Sequence, residues 1–293
     1  MIRKLVSIIM PTYNRKYIIK RAIDSCLQQS YQEIEVIICD DHSTDGTEEY
    51  IAELQKLDKR IVYCKTSVGH KGANAARNAG IRIAKGEYIC FLDSDDEFLE
   101  NGIADRVSVF ENNHRIGMVY GNALIQACDR KMPLIYDNIP RAKREARKYL
   151  LQELSLCCQI TIMFRRKVIN RIGFLNEEQR GWTDDGLVVA IGLEYLMVNC
   201  GKFVSVLHKS DVSMTSNKWN TYQGLRVLVN KYKKEIISEV SVWHYILWKI
   251  RIASAYCYAR ETTEDSYIMR YVWKCLHEGL RAFWKKRFRH TFE

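Results

Sequence analysis

The sequence predicts an α/β protein: a mostly parallel sheet covered by helices on both faces. Two observations lead there. Through the first hundred residues, short β-branched apolar runs alternate with stretches whose apolar residues recur at helical spacing, the pattern of strand–helix units joined by right-handed crossovers. The segments that follow three of those runs, Pro11–Arg15, Asp40–Asp45 and Asp93–Asp96, also carry polar groups unusual for plain connectors. In an open parallel sheet ligands bind beyond the carboxyl ends of the strands, so function is expected at these tips.

Each element has its own justification. Leu5–Met10 is a short apolar run closed by Pro11, and Tyr17–Gln29 then places Ile18, Ile19, Ala22, Ile23, Cys26 and Leu27 on one helical face. Ile34–Cys39 is a second strand. Thr47–Leu57 is a helix with Thr44 or Asp45 as cap and Glu48–Glu49 at its positive end. Arg60–Lys65, Asn74–Ala84 and Glu87–Leu92 read as strand, helix and strand. Beyond residue 100 the pattern predicts a helix over Leu99–Asn113, an extended segment over Met118–Leu124 and a basic helix over Arg141–Leu154. Gln159–Phe164 reads as a strand, Asp184–Asn199 as an apolar helix, and the chain from Tyr222 onward as aromatic, basic helices. A boundary near residue 220 separates 1–220 from 221–293.

Composition narrows the function classes. At 293 residues, 47% apolar and 27% charged, the chain can bury a core and is not wholly disordered, and its three prolines exclude proline-rich architectures. Lys and Arg exceed Asp and Glu by ten, which favours anionic partners: phosphorylated ligands, nucleic acid or an acidic membrane surface. Ten cysteines lie partly within apolar strand runs and show no C-x-x-C spacing, so a reducing cytosol is expected rather than a disulfide framework. Leu5–Met10 is too short for a signal peptide's apolar region. The longest apolar stretch, Val242–Ala259, is interrupted by His244, Lys249 and Arg251, so no membrane span is expected.

The chemistry-bearing residues sit at the strand tips. Asp93, Asp95 and Asp96 place three carboxylates in four positions directly after a buried strand. Such a cluster is costly without a counter-charge, and hard divalent cations such as Mg²⁺ or Mn²⁺ prefer carboxylate and phosphate oxygens. A solvated acidic turn is the competing reading. Asp40 and Asp41 can accept from a nucleobase or ribose, whereas Asp45-Gly46 reads as an Asx-turn. Tyr13 offers a flat face to a base, or packs as a half-buried ring. The segment Gly69–Gly80 joins a glycine-containing loop to a small-residue helix in which Arg77 lies within reach of phosphate, and it is neither a P-loop nor a GxGxxG fingerprint.

Taken together, PTYNR after the first strand, CDDHSTDGT, GANAARNAG and FLDSDD resemble the family 2 glycosyltransferases of GT-A fold, in order and near the usual spacing. The resemblance covers about residues 5–125 closely and 126–220 loosely, and is silent on 221–293. It implies a nucleotide-diphosphate sugar donor, a divalent cation and inversion at the anomeric carbon. Carried onto this sequence, Tyr13 stacks on the base, Asp41 bonds its edge with Asp40 beside it, and Pro11, Arg15, Arg77 and Ser94 line the donor site. Asp93 contacts ribose and Asp95 coordinates the metal, with Asp93 and His208 as further metal candidates. The family's Glu-Asp pair at a helix start aligns with Thr183-Asp184, so Asp184 is the candidate general base, Thr183 replaces the usual Glu, and Asp185 stays open as the alternative. An N-capping pair is the competing reading.

The resemblance further implies a glycan or lipid-linked acceptor and a setting in bacterial surface-polysaccharide synthesis. Residues 224–293 hold fourteen Lys and Arg against seven Asp and Glu, and Tyr267–His290 combines aromatics and basic residues at helical spacing. That composition suits an anionic membrane surface at the cytoplasmic face, or packing on the catalytic domain or a second subunit. A nucleic-acid-binding protein would explain the charge but not the clustered aspartates. A non-catalytic GT-A scaffold would explain Thr183.

Overall fold

The computed structural model describes residues 4–127, 130–136, 138–140, 142–179, 181–209 and 217–259. The chain divides into two compact units, each assembled from separate stretches: Met1–Asn138, Leu156–Glu178 and Ala190–Ser210 in the first, and Ile139–Ser155, Gln179–Val189 and Asp211–Glu293 in the second.

The first unit is built on one sheet. β1 (Val6–Thr12), α1 (Ile19–Leu27), β2 (Ile34–Asp40), α2 (Thr47–Leu57), β3 (Ile61–Lys65), α3 (Ala73–Ile83) and β4 (Tyr88–Phe91) alternate as the periodicity predicts. Their strands run parallel in the order β3-β2-β1-β4. Every residue of β1 and β2 is buried, which explains why these strands read as continuous apolar runs rather than alternating ones. α1 turns Ile19, Ala22, Ile23 and Cys26 inward. α3 docks more closely because its face is small: a Cβ on Gly80 would stand 2.6 Å from both Cys39 Sγ and Ile9 Cγ2.

The sheet continues through β5 (Glu97–Phe98), β6 (Ile116–Ala127), β7 (Arg130–Leu134), β8 (Ile162–Arg165) and β9 (Leu196–His208), in the order β4-β8-β6-β9-β5 with β7 on β6. β8 pairs antiparallel with β4 and β6, β9 runs parallel to β6, and β5 lies antiparallel on β9. The helices after α3 are α4 (Gly102–Asn112), α5 (Lys143–Glu153), the single turn α6 (Ile169–Ile172), α7 (Thr183–Glu194), α8 (Lys218–Lys231), the short α9 (Lys233–Glu235) and α10 (Val242–Ala259).

Two expectations change. The apolar helix expected over Asp184–Asn199 ends at Glu194, and Leu196 opens a thirteen-residue strand. An apolar run carries no periodicity that separates a buried helix from a buried strand, and pairing with β6 on one side and β5 on the other decides for the strand. Gln159–Thr161 is a 3₁₀ turn, so the strand expected from Gln159 begins at Ile162. Of the basic helix expected over Arg141–Leu154, Lys143–Glu153 is helical, while Arg141 lies outside the described residues, as does Tyr267–His290.

In the second unit Arg147 and Glu239 form a two-point ion pair, with Nε–Oε2 at 2.9 Å. Gly181 and Gly224 bring their backbones together: a Cβ on Gly224 would lie 2.0 Å from the Gly181 carbonyl oxygen. Trp248 is buried edge-on to Trp182, with ring centres 6.4 Å apart. Among the described residues no helix is long and apolar enough to cross a membrane.

Candidate active site

Because β2, β1 and β4 are neighbours running the same way, the loops after them emerge side by side. Backbone and side-chain bonds stitch the first two together. Asp41 N–H donates to Thr12 O at 2.9 Å, Asn14 N–H to Ser43 Oγ at 2.8 Å, Thr44 N–H to Asn14 Oδ1 at 2.8 Å and Lys16 N–H to Asp45 Oδ2 at 3.0 Å. Asn14 adopts a φ of 52°, which a short polar side chain bonded to the neighbouring loop tolerates. Pro11 is buried in β1, and the chain then presents Tyr13, 56% exposed, at the tip.

The two aspartates after β2 fasten the neighbouring loops. Buried Asp40 accepts from Ser43 N–H and Oγ on one oxygen and from Tyr63 Oη at 2.8 Å on the other. Asp41 accepts from Thr66 Oγ1 at 3.1 Å and from Gly72 N–H at 2.7 Å, so it ties the glycine loop to the strand tip. Gly72, at φ 97°, opens α3 and directs Arg77 toward the tip of β4. Buried Arg77 donates from Nη2 to Asp93 Oδ1 at 2.6 Å and from Nη1 to Asn74 Oδ1 at 3.4 Å, and its buried Nε has no hydrogen-bond partner among the described residues.

The acidic turn is tight: Asp96 N–H closes onto Asp93 O at 3.0 Å. Ser94 is buried within it, while Asp93 and Asp95 keep part of their carboxylates open. Arg15 stands 3.7 Å from Asp95 Oδ2, and Arg21 holds the Asp95 carbonyl. Burial, followed by repulsion from Asp93 and Asp95, pushes the Asp96 carboxyl up to about 8. Near neutrality Asp96 is therefore largely protonated, and the turn presents Asp93 and Asp95 beside Arg15, Arg21 and Arg77. His208, at the end of β9, donates its N–H to Asp96 Oδ1 at 2.9 Å and pairs its ring with Glu97.

Among the described residues no three His, Cys, Asp or Glu side chains form a ready metal cage. Mg²⁺ and Mn²⁺ do not need one, since they are commonly bound through one or two carboxylates together with substrate phosphates. A turn with two part-open carboxylates at the strand tip fits such a cation.

In the second unit, Gln179 Nε2 bonds the carbonyls of Gly181 and Trp182, and Trp182 at φ 55° turns the chain into α7. Asp184 and Asp185 occupy the first turn of that helix, where its dipole favours negative charge. Thr183 Oγ1 bonds Asp184 Oδ1 at 3.1 Å. Asp185 is held up to about 7 by burial and by the adjacent Asp184 carboxylate, against a hydrogen bond from Ser155 and the charge of Arg251. The Arg251 guanidinium, itself lowered to about 10 by burial, lies 5.0 Å from the Trp182 ring and 5.1 Å from that of Trp248. Arg180 and Ser210–Met214, part of the segments singled out in the sequence, lie outside the described residues.

Sequence reading passed over the residues that brace this site. Asn74 and Asn78 share a helix face with Arg77; Asn78 exchanges two bonds with the Leu175 backbone and a third with Glu177, and Asn74 holds Asn176 O at 2.8 Å. His70 of the glycine loop pairs with the same Glu177. The signal was present in GANAARNAG, whose amides recur one turn apart, but their partners lie about a hundred residues away.

Comparison with known proteins follows the same lines. The chain is 36% identical over 167 residues to the UDP-Glc:alpha-D-GlcNAc-diphosphoundecaprenol beta-1,3-glucosyltransferase WfaP of Escherichia coli; the match covers 57% of this chain and 63% of WfaP, less than two thirds of that relative. The structure superposes on S. aureus TarS in complex with UDP-GlcNAc at a TM-score of 0.65 and 21% identity, over 87% of this chain and 73% of TarS. It superposes on the Pyrobaculum calidifontis mannosyltransferase PcManGT, in complex with GDP-Man and Mn²⁺, at 0.60 and 17% identity, over 94% and 80%. These likenesses establish a GT-A type fold. The profile of glycosyl transferase family 2 matches residues 7–173, which span all three strand tips and the acidic turn, and the chain belongs to that family.

Proposed function

We propose that the chain transfers a sugar from a UDP-sugar to a hydroxyl of a lipid-linked glycan acceptor, inverting the anomeric carbon, in bacterial surface-polysaccharide synthesis at the cytoplasmic face of the membrane. The observation that carries the proposal is the meeting, at adjacent strand tips, of an exposed Tyr13, a part-open Asp93–Asp95 turn and two arginines, Arg15 and Arg77. The names of the relatives support it: WfaP is a UDP-Glc glucosyltransferase acting on a diphosphoundecaprenol, and TarS was captured with UDP-GlcNAc. Residues 1–220 would form the catalytic region and 221–293 the part that meets a membrane surface or a second copy.

Tyr13 stacks on the base, with Asp41 at its edge and Asp40 fixing the loop beneath. Asp93 meets the ribose. A divalent cation, Mn²⁺ or Mg²⁺, would be held by Asp95 with Asp93, near His208, and when bound would offset charge on the departing diphosphate. PcManGT, a neighbour in fold, was captured with Mn²⁺. Arg77 and Arg15 orient the same phosphates. Asp184, or Asp185 beside it, removes the proton from the acceptor hydroxyl as it attacks from the opposite face, which general-base catalysis makes worth about 10²–10⁴-fold.

A thermal-shift series with UDP, GDP, UDP-glucose and UDP-GlcNAc, with and without Mn²⁺, tests the reading. A stabilisation confined to one nucleotide and dependent on Mn²⁺ is expected, together with slow hydrolysis of the matching nucleotide sugar. No shift with any nucleotide would overturn the donor assignment. Metal-dependent binding without any hydrolysis would favour the non-catalytic scaffold that Thr183 suggests.

A further inference from the structure

Cys39 and Cys64 are far apart in sequence but stand directly opposite each other in the parallel pair β2–β3. Neighbouring strands lie about 4.7–4.9 Å apart and facing residues point to the same side, which is within the roughly 4.4–6.8 Å Cα separation that a disulfide spans. Cys39 Sγ lies beside α3, 2.6 Å from where a Cβ on Gly80 would stand, and donates to Ile37 O at 3.5 Å. Their exposures differ in a useful way: Cys39 is fully buried, while Cys64 is half-buried on β3, the edge strand of the sheet. The interaction between the two thiols raises Cys39 well above its ordinary range, with burial adding to it, and lowers Cys64. The more reachable sulfur is thus the more acidic of the two, and the second thiol stands opposite it on the neighbouring strand.

We propose that Cys39 and Cys64 form a redox modification site that closes into a reversible disulfide when a peroxide reaches the edge of the sheet. Cys64 thiolate attacks one peroxide oxygen and the O–O bond breaks, leaving a sulfenic acid on Cys64 and a hydroxide that takes up a proton as water. Cys39 then gives up its proton and its sulfur attacks that of Cys64, forming the S–S bond and releasing the second water. Two thiols are oxidised and one peroxide is reduced to two waters.

The closure acts on the donor loops, a consequence that rests on the UDP-sugar reading. Asp40 directly follows Cys39, and Tyr63 and Thr66, on either side of Cys64, bond Asp40 and Asp41. Drawing Cys39 Sγ toward Cys64 also withdraws it from Gly80, the point at which α3, the helix that carries Arg77, rests on β2.

The test uses the full chain treated with hydrogen peroxide, blocked with iodoacetamide and mapped by peptide mass spectrometry, with UDP affinity measured on the same samples. A peptide pair joined through Cys39 and Cys64, absent after dithiothreitol and absent in C64S, is expected, with UDP affinity falling several-fold and recovering on reduction. Absence of that pair under conditions that oxidise Cys158 or Cys200 overturns the site. The pair with unchanged UDP affinity overturns its effect on the donor loops. If the reduced protein binds no UDP, it is the donor reading that fails, and the peptide map still decides the dithiol.

Discussion

Asp184 and Asp185 are adjacent in sequence, yet the structure gives them different surroundings, and that difference predicts a pH profile. Asp185 is held up to about 7, so its negative charge, which strengthens the neighbouring Asp184 as a base, is present only above that point. Turnover, measured as kcat/KM, is expected to rise through about pH 7. D185N should keep most of the activity and lose that inflection, whereas D184N should lose about 10²–10⁴-fold. The reverse pattern would assign the base to Asp185. The family resemblance pointed to this pair through its acidic pair at a helix start, but not to the asymmetry, because burial and Ser155 are supplied by distant segments. Asp95 offers a second residue-level expectation. D95A removes a carboxylate that repels Asp96, so the metal-free protein should melt at an unchanged or higher temperature while the Mn²⁺-dependent stabilisation by UDP disappears. A lowered melting point without metal would show that Asp95 is chiefly structural.

At the scale of elements, α3 is the part on which the candidate donor site depends. Its small face lets the backbone approach β1 and β2, and its Asn78 fixes the segment Leu175–Glu177 by three hydrogen bonds. G80A forces a methyl into space held by Cys39 and Ile9, and overpacking of that kind costs about 1–3 kcal/mol. N78A removes three part-buried hydrogen bonds whose partners water can reach, a loss of about 0.5–1.5 kcal/mol for each bond. Both variants should melt lower, by roughly 2–4 °C per kcal/mol for a chain of this size; calorimetry of each against wild type checks this, and an unshifted G80A would mean that α3 moves away freely. Elements up to β4 were legible because strands and helices there alternate with distinct periods and turn residues between them. The start of β9 was not: Leu196–Asn199 continues the apolar run of α7, and only pairing with Ile116–Tyr120 selects a strand there.

For the molecule as a whole, charge was legible as a total and hidden in its placement. Arg106 and Arg165 are buried, Arg106 against the Gly102 and Ile162 carbonyls and Arg165 against the Glu87 carboxylate and the Phe110 and Ile116 carbonyls. Such charges do nothing for a distant anionic surface. The excess that remains is concentrated late in the chain, where Lys and Arg outnumber Asp and Glu by two to one from residue 224 onward. Each cation near an anionic bilayer contributes about 1 kcal/mol, and that attraction is screened within a Debye length of about 10 Å at 0.1 M salt. A surface held by these charges predicts that the full chain co-sediments with phosphatidylglycerol vesicles at low salt, is released progressively as salt rises, and ignores phosphatidylcholine vesicles throughout. Apolar insertion would instead leave binding indifferent to salt and present on both lipids. An absence of binding to either, with a size-exclusion mass of two chains, would assign the basic, aromatic region to subunit contact and leave the lipid-linked acceptor to reach the site without help from the protein's charge.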